Sequence, residues 1–254
     1  MPVLGVIPAR LGSTRLPRKP LQPLGDKPLI TVLVEQVLKL GGVDDLVVAT
    51  DSDEVARVAE KTGVRAVLTE ESHQTGTERV AEVAARSEFA RYDVIVNIQG
   101  DEPFLSQEAL AGALLRVGQG DDIGTAAAPV SLAEASNPAR VKVVVDAKGR
   151  ALYFSRAVIP HLYLSNGSAN FAIGLYWQHV GIYACTRAAL NTWVNSSLAA
   201  PPAEQAERLE QLRALHYGLT IGVARLEKAA EPGIDTADDL RRAQDHWHAL
   251  QRQV

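Results

Sequence analysis

The sequence predicts an α/β fold with a predominantly parallel sheet. Three observations carry that prediction. Short apolar runs recur at Val3–Ile7, Leu46–Thr50 and Asp93–Ile98, the pattern of strands buried on both faces. Segments with helical apolar spacing lie between them, and strands alternating with helical stretches of about 10–15 residues build right-handed βαβ units. Hydrophobic residues make up 46% of the 254 but aromatics only 5%, so Leu, Val, Ile and Ala must form the core that covers the sheet.

Taken in order, the first strand, Val3–Ile7, runs into a polar loop from Pro8 to Leu24. Pro28–Leu40 follows with Leu29, Val32, Leu33, Val37 and Leu40 on one helical face, and Gly41-Gly42 stops it. Leu46–Thr50 is the second strand. Asp51–Lys61 reads as a helix capped by Asp51 or Ser52 and ended by Gly63. A short strand, Arg65–Leu68, precedes a helix over Thr77–Arg86 and the buried strand Asp93–Ile98. Helix Ser106–Val117 and strand Ile123–Val130 close the regular half. Beyond it, Val141–Val145 and Ala151–Phe154 flank Asp146–Gly149 as a hairpin. Gly181–Ala184 is a short strand, Glu204–Tyr217 an amphipathic helix, Thr220–Ala224 a strand and Thr236–Leu250 the last helix. The one linker-like stretch, Ala199–Ala203, is too short to part domains, so a single domain is expected.

Charge and cysteine content exclude several classes. The net charge of −4 lacks the basic excess of a nucleic-acid coat, so no nucleic-acid partner is expected. One cysteine, Cys185, permits neither an intramolecular disulfide nor a multi-thiolate metal site. No apolar run reaches the ~20 residues of a membrane helix, and the opening residues lack a signal-peptide pattern. A cytoplasmic protein without a membrane partner is the expectation.

Two segments promise chemistry. After the first strand come Arg10, Arg15, Arg18 and Lys19, with no acid among them and with Gly12, Ser13 and Thr14 between. Like charges so close repel unless an anion lies between them. Ligands of open α/β sheets bind beyond the carboxyl ends of the strands, where this loop falls. A polyphosphate would satisfy it, with Arg giving planar contacts and Lys a point charge. The competing reading is a solvated basic loop. Neither GxxxxGK[ST] nor GxGxxG is present, which disfavours the P-loop and dinucleotide readings. The second segment, Gln99-Gly100-Asp101-Glu102-Pro103, puts acids at the same edge, where a carboxylate could hold Mg²⁺ and Gly100 could let backbone approach a ligand; a plain strand-to-helix turn is the alternative. In Gly233–Leu240, pattern alone makes Asp235 the N-cap of the last helix, with Asp238 and Asp239 favouring its dipole.

Assembled, these pieces resemble the 3-deoxy-manno-octulosonate (Kdo) cytidylyltransferases. The matching stretches are IPARLGSTRLPRKPL, VVATD (47–51), HQTGTERVAE (73–82), VNIQGDEPF (96–104), NPARVKVV (137–144), ALYFSRAVIP (151–160), HVGIYA (179–184), LEQLRAL (209–215) and GIDTADDL (233–240). They span nearly the whole chain in the family's order.

The resemblance implies a nucleotidyltransferase-type Rossmann-like three-layer sandwich with a predominantly parallel mixed sheet. It implies about 1–135 as the nucleotide-binding part of the domain, about 136–200 as the sugar-binding and dimer-contact part, and a homodimer. The implied reaction joins CTP and Kdo into CMP-Kdo and pyrophosphate, for lipopolysaccharide biosynthesis. By the same resemblance Arg10, Ser13, Arg15 and the catalytic Lys19 would grip the triphosphate. Asp101 and Asp235 would be catalytic and bind Mg²⁺, overturning the cap-only reading of Asp235. Gln99, His179, Tyr183, Glu210 and Gln211 would hold the sugar acid. Gln74, Thr75, Gly76 and Arg79 would lie near cytosine and ribose. Such a reaction needs positioning and charge neutralisation, with no side-chain nucleophile.

Two departures from the family bear on the sugar. His161–Ser168 replaces an aromatic and a basic-acidic patch, and Gln178 replaces a basic residue. The apolar stretch within 161–178 reads as a loop and dimer contact. An alternative sugar, 8-amino-Kdo or sialic acid, therefore stays open. Two other classes are weighed as well. A regulatory nucleotide binder would not need both Asp101 and Asp235, and a nucleotide-sugar glycosyltransferase would want an Asp-x-Asp motif that Asp101-Glu102-Pro103 lacks.

Overall fold

The computed structural model describes residues 1–13, 15–163, 174–195 and 197–252. In chain order the strands and helices are β1 (Val3–Ala9), β2 (Pro23–Leu24), β3 (Lys27–Pro28), α1 (Leu29–Leu40), β4 (Asp45–Thr50), α2 (Asp53–Glu60), β5 (Arg65–Leu68), α3 (Gly76–Ala85), β6 (Val94–Ile98), α4 (Gln107–Gly118), β7 (Ile123–Pro129), α5 (Leu132–Ala135), β8 (Lys142–Val145), β9 (Ala151–Ser155), β10 (Trp177–Thr186), α6 (Arg187–Trp193), α7 (Pro202–Glu207), α8 (Gln211–His216), β11 (Ile221–Arg225) and α9 (Ala237–Gln251). Two compact units result: Met1–Leu105 with Glu231–Val254, and Ser106–Ala230.

In the first unit the strands lie in the order β6-β1-β4-β5, all parallel, with Ile7 opposite Val48 and Val48 opposite Ala66. Parallel strands carry helices on their faces, so these are apolar along their length: Val94–Ile98 is buried at every residue. Caps fix the helix starts. Ser52, not Asp51, caps α2, its side chain accepting from Val55 N. Thr75 and Glu78 form a capping box on α3.

An apolar cluster in this unit has a positioning role. Leu16, Leu24, Leu29, Val32, Ile234, Leu240 and Ala243 pack together, with Phe104 and Trp247 against them. Leu16 belongs to the basic loop and Ile234 precedes Asp235. Burying a side chain such as Ile234 stabilises by about 1.5–3 kcal/mol. The same packing brings an early loop and a late segment to one place.

In the second unit β11 and β7 are parallel, β10 is antiparallel to β7, and β8 and β9 form an antiparallel hairpin joined to β10. The turn expected at Asp146–Gly149 is present, with Asp146 Oδ1 accepting from Lys148 N and Arg150 N at 2.8 Å. The two sets of strands together make a mixed, mainly parallel α/β architecture.

The second unit departs from expectation at several places, with the short helices α5 and α6 unforeseen. β10 starts at Trp177, well before the expected Gly181, because Gln178 and His179 pair with Ala128 and Ala127 despite their polarity. The expected loop and dimer contact within 161–178 is therefore strand from Trp177, and 164–173 lie outside the described residues. The expected helix Glu204–Tyr217 is two helices. Arg208 takes a left-handed φ of 53°, and Arg156 Nε, rather than a helical amide, donates to the Glu207 carbonyl at 2.8 Å. The Glu207 carboxylate turns back to accept from Ser155 Oγ (2.6 Å) and Arg156 N (2.8 Å). No helix among the described residues is long and apolar enough to cross a membrane.

Candidate active site

The segments that follow β1, β5 and β6, together with Asp235, line a cavity of about 310 Å³ in the first unit. Pro8 is its hub. A Cβ on Gly100 would lie 2.6 Å from the Pro8 carbonyl oxygen, so only glycine lets the loop after β6 pass so close. The sequence suggested that Gly100 makes room for a ligand; the close approach found is to Pro8. Gly76, the first residue of α3, also abuts the Pro8 ring.

The basic loop leaves β1 and is secured at several points. Leu11 N donates to Asp51 Oδ1 (3.4 Å), Leu16 N to Ser13 Oγ (3.4 Å), and Leu16 is buried. Arg18 adopts φ 54°, one of two non-glycine left-handed residues among those described, and its guanidinium pairs with Glu54 at 2.5 Å. A strained backbone held by its surroundings is common where a side chain must be aimed. Here it precedes Lys19.

Lys19 is the centre of the site. Its Nζ donates at 3.0 Å to Asp101 Oδ2, at 3.0 Å to Asp235 Oδ1 and at 3.0 Å to the Ile234 carbonyl. The two carboxylate oxygens therefore lie no further apart than twice 3.0 Å. Arg15 Nη2 reaches Asp235 Oδ2 at 3.1 Å. Burial alone would push the Asp235 carboxyl pKa up, but Lys19 and Arg15 overcome this and hold it below the usual carboxylate range. Burial would likewise lower the Lys19 pKa, and the two aspartates raise it instead.

Asp235 is free for this role because Thr236 caps α9. The Thr236 side chain accepts from Asp239 N, and Asp239 Oδ2 accepts in return from Thr236 N at 2.8 Å. The N-cap reading of Asp235 is thus corrected by one residue. Ile234 N donates to the Asp101 carbonyl at 2.9 Å, tying the two acidic segments together by backbone.

Three of the four clustered cations have carboxylate partners within the chain. Arg15, Arg18 and Lys19 pair with acids distant in sequence. Arg10 lines the cavity and has no ion pair among the described residues.

The other wall holds Gln74, Thr75, Gly76, Arg79 and Gln99. Gln74 is exposed and its N donates to Glu78 Oε2 at 2.7 Å. Arg79 is only 2% exposed, with Nη2 on Asp51 Oδ2 at 2.8 Å and Nη1 on Thr69 Oγ1. Asp51 thus serves both the basic loop and Arg79. Sequence reasoning treated it as a possible helix cap; its place at the end of β4, on the ligand-binding edge of a parallel sheet, was the available signal.

The remaining expected residues lie in the second unit, where His179 and Tyr183 belong to a chain of ring contacts. Phe154 meets His179 edge-on at 5.3 Å, His179 meets Tyr183 at 5.1 Å, and Tyr183 meets Trp193 edge-on at 5.0 Å. Trp193 Nε1 donates to the Glu210 carbonyl at 2.9 Å. Burial pushes the His179 imidazole down to about 3, so the ring is neutral at physiological pH, and its Nε2 lies 2.9 Å from Thr125 Oγ1. Burial, and then the Glu210 carboxylate, raise the Tyr183 phenol well above its ordinary value. Glu210 is half-buried just before α8, whereas Gln211 is 3% exposed.

Among the described residues no cluster of three or more His, Cys, Asp or Glu could hold a metal by itself. Asp101 and Asp235 with the Ile234 carbonyl nonetheless offer hard oxygen donors around one cationic position. That set fits a divalent ion that shares its shell with phosphate and water.

A parallel α/β sheet whose carboxyl edge brings a basic loop against paired aspartates has the layout of a nucleotidyltransferase. A family model described as cytidylyltransferase matches residues 4–221. The 3-deoxy-manno-octulosonate cytidylyltransferase of Gemmatimonas aurantiaca is 53% identical over 98% of this chain and 96% of its own length, and that of Methylococcus capsulatus 44% identical over 95% of each. A solved CMP:2-keto-3-deoxy-manno-octonic acid synthetase complexed with CTP superposes with a TM-score of 0.86 at 37% identity, covering 100% of this chain and 99% of that one. The chain belongs to the cytidylyltransferase family, among the 3-deoxy-manno-octulosonate cytidylyltransferases. Members of the cytidylyltransferase family generally use a divalent metal.

Proposed function

We propose that the protein transfers CMP from CTP to Kdo and releases pyrophosphate. The observation that carries this reading is the Lys19 ammonium seated between Asp101 and Asp235 beside Arg15. The site offers cations for a triphosphate and carboxylates for a metal within one cavity. Relatives bearing the Kdo cytidylyltransferase name over nearly the full chain support the choice of nucleotide and sugar.

Arg10, Ser13, Arg15 and Lys19 bind the triphosphate. Gln74, Thr75, Gly76 and Arg79 form the wall against cytosine and ribose, with Asp51 and Thr69 holding the Arg79 guanidinium in place. Gln99, Glu210 and Gln211 bind the sugar acid, and His179 and Tyr183 support them as neutral rings. The anomeric oxygen bonds to the α-phosphorus, the bond from that phosphorus to the pyrophosphate oxygen breaks, and the hydroxyl proton is lost. Asp101 and Asp235 would hold Mg²⁺, which supplies charge neutralisation on the triphosphate and acidifies the hydroxyl. The chain works as one functional domain, with about 1–135 serving the nucleotide and about 136–200 the sugar and dimer contact. It works in the cytoplasm as a homodimer, which sedimentation equilibrium reads directly; a monomer at micromolar concentration would contradict that part.

The deciding experiment measures pyrophosphate release from CTP and Mg²⁺ with Kdo, 8-amino-Kdo, sialic acid or no sugar. Release with Kdo far above the other three is expected. Release favouring another sugar would reassign the acceptor, and none with any sugar would overturn the transfer reading.

A further inference from the structure

An ammonium has three N–H bonds, and Lys19 spends all three on the acidic cluster: Asp101 Oδ2, Asp235 Oδ1 and the Ile234 carbonyl, each at 3.0 Å. Its side chain is 18% exposed, so water offers little competition. Yet the proposed reaction asks these groups to part. The carboxylates are wanted by a divalent ion and the ammonium by phosphate oxygens. In the arrangement seen, ammonium and carboxylates neutralise each other.

We infer that Lys19 is a tethered counter-ion that competes with a divalent cation for Asp101 and Asp235 and yields the pair when a triphosphate offers its ammonium another anion. The inference rests on the proposed reading of Asp101 and Asp235 as metal-holding. The physical basis is effective concentration. Lys19 opens a short 3₁₀ turn, Lys19–Leu21, behind the left-handed Arg18, so its ammonium is presented to the aspartates by the fold itself. A free divalent ion must displace that ammonium, and the ammonium gains nothing unless phosphate is present. A metal ion and a nucleoside triphosphate therefore favour each other's binding, each freeing the partner that the other needs. By linkage the factor is the same in both directions.

The test uses the full chain, metal-free, with neither nucleotide nor sugar. Mg²⁺ alone is titrated calorimetrically into the wild-type protein and Lys19→Met. The variant is expected to bind Mg²⁺ about tenfold tighter or more, a gain of about 1.4 kcal/mol per factor of ten. Without metal Asp101 loses its cation and Asp235 keeps only Arg15, so the variant melts below the wild type, and Mg²⁺ raises its melting temperature more than it raises the wild type's. Equal or weaker Mg²⁺ binding by a folded Lys19→Met overturns the inference; Lys19→Gln serves in its place if the first variant fails to fold. In Lys19→Met/Asp235→Asn the gain must vanish, and its persistence would put the metal elsewhere and overturn the inference too. Because no CTP is present, this outcome is independent of pyrophosphate release, and either reading can fail alone.

Discussion

At the scale of residues, the site depends on which of several adjacent candidates takes which job. Asp235 and Thr236 both suit a helix start. The hydroxyl wins because its partner, Asp239, completes a capping box, and the carboxylate is left for Lys19. His179 shows the opposite outcome, an ionisable group made inert. Its folded pKa of about 3 lies below the ordinary 6.5, so the unfolded chain takes up a proton that the native ring refuses. The stability this contributes is present above pH 6.5 and is lost as pH falls toward 3. We expect the melting temperature to fall between about pH 7 and about pH 5, and His179→Gln to flatten that fall. An unchanged pH profile in the variant would show that His179 is not the group responsible. Residue types at the site were legible in the sequence because basic and acidic segments follow strands. Their partners were not: Lys19 and Asp235 are separated by 216 positions, and Arg79 could not be seen to be committed to Asp51 and Thr69.

Secondary-structure elements aim these residues. The basic loop is anchored by Leu16 in the same apolar cluster that buries Ile234 and Leu240, so loop, acidic segment and α9 share one foundation. Thr236→Ala removes the cap of α9 next to Asp235. It should cost about 1 kcal/mol of stability and raise the Mg²⁺ concentration for half-maximal rate. A loss of stability with an unchanged Mg²⁺ requirement would mean that the cap does not position Asp235. The regular first half of the chain was readable because strands buried on both faces and amphipathic helices have distinct periods. The break after Glu207 was not, since the amphipathic pattern runs through it. It arises from Arg156 and Ser155, far away in sequence, capturing the Glu207 carbonyl and carboxylate. Nor was the early start of β10, where pairing with β7 overrides the polarity of Gln178 and His179.

On the scale of the whole molecule, a net charge of −4 coexists with a local cluster of cations, three of which pair with carboxylates within the fold. The cationic loop and both acidic segments were legible as charged stretches, but the ion pairs that join them through Lys19 were not, because their members are far apart in sequence. We propose that Asp101 and Asp235 serve the chemical step while the basic loop binds the nucleotide. The most direct test is Asp101→Asn, measured for CTP binding by calorimetry and for pyrophosphate release with Kdo and Mg²⁺. CTP affinity within a few-fold of the wild type is expected, with turnover lower by about a thousandfold or more. Near-normal turnover in that variant would contradict it.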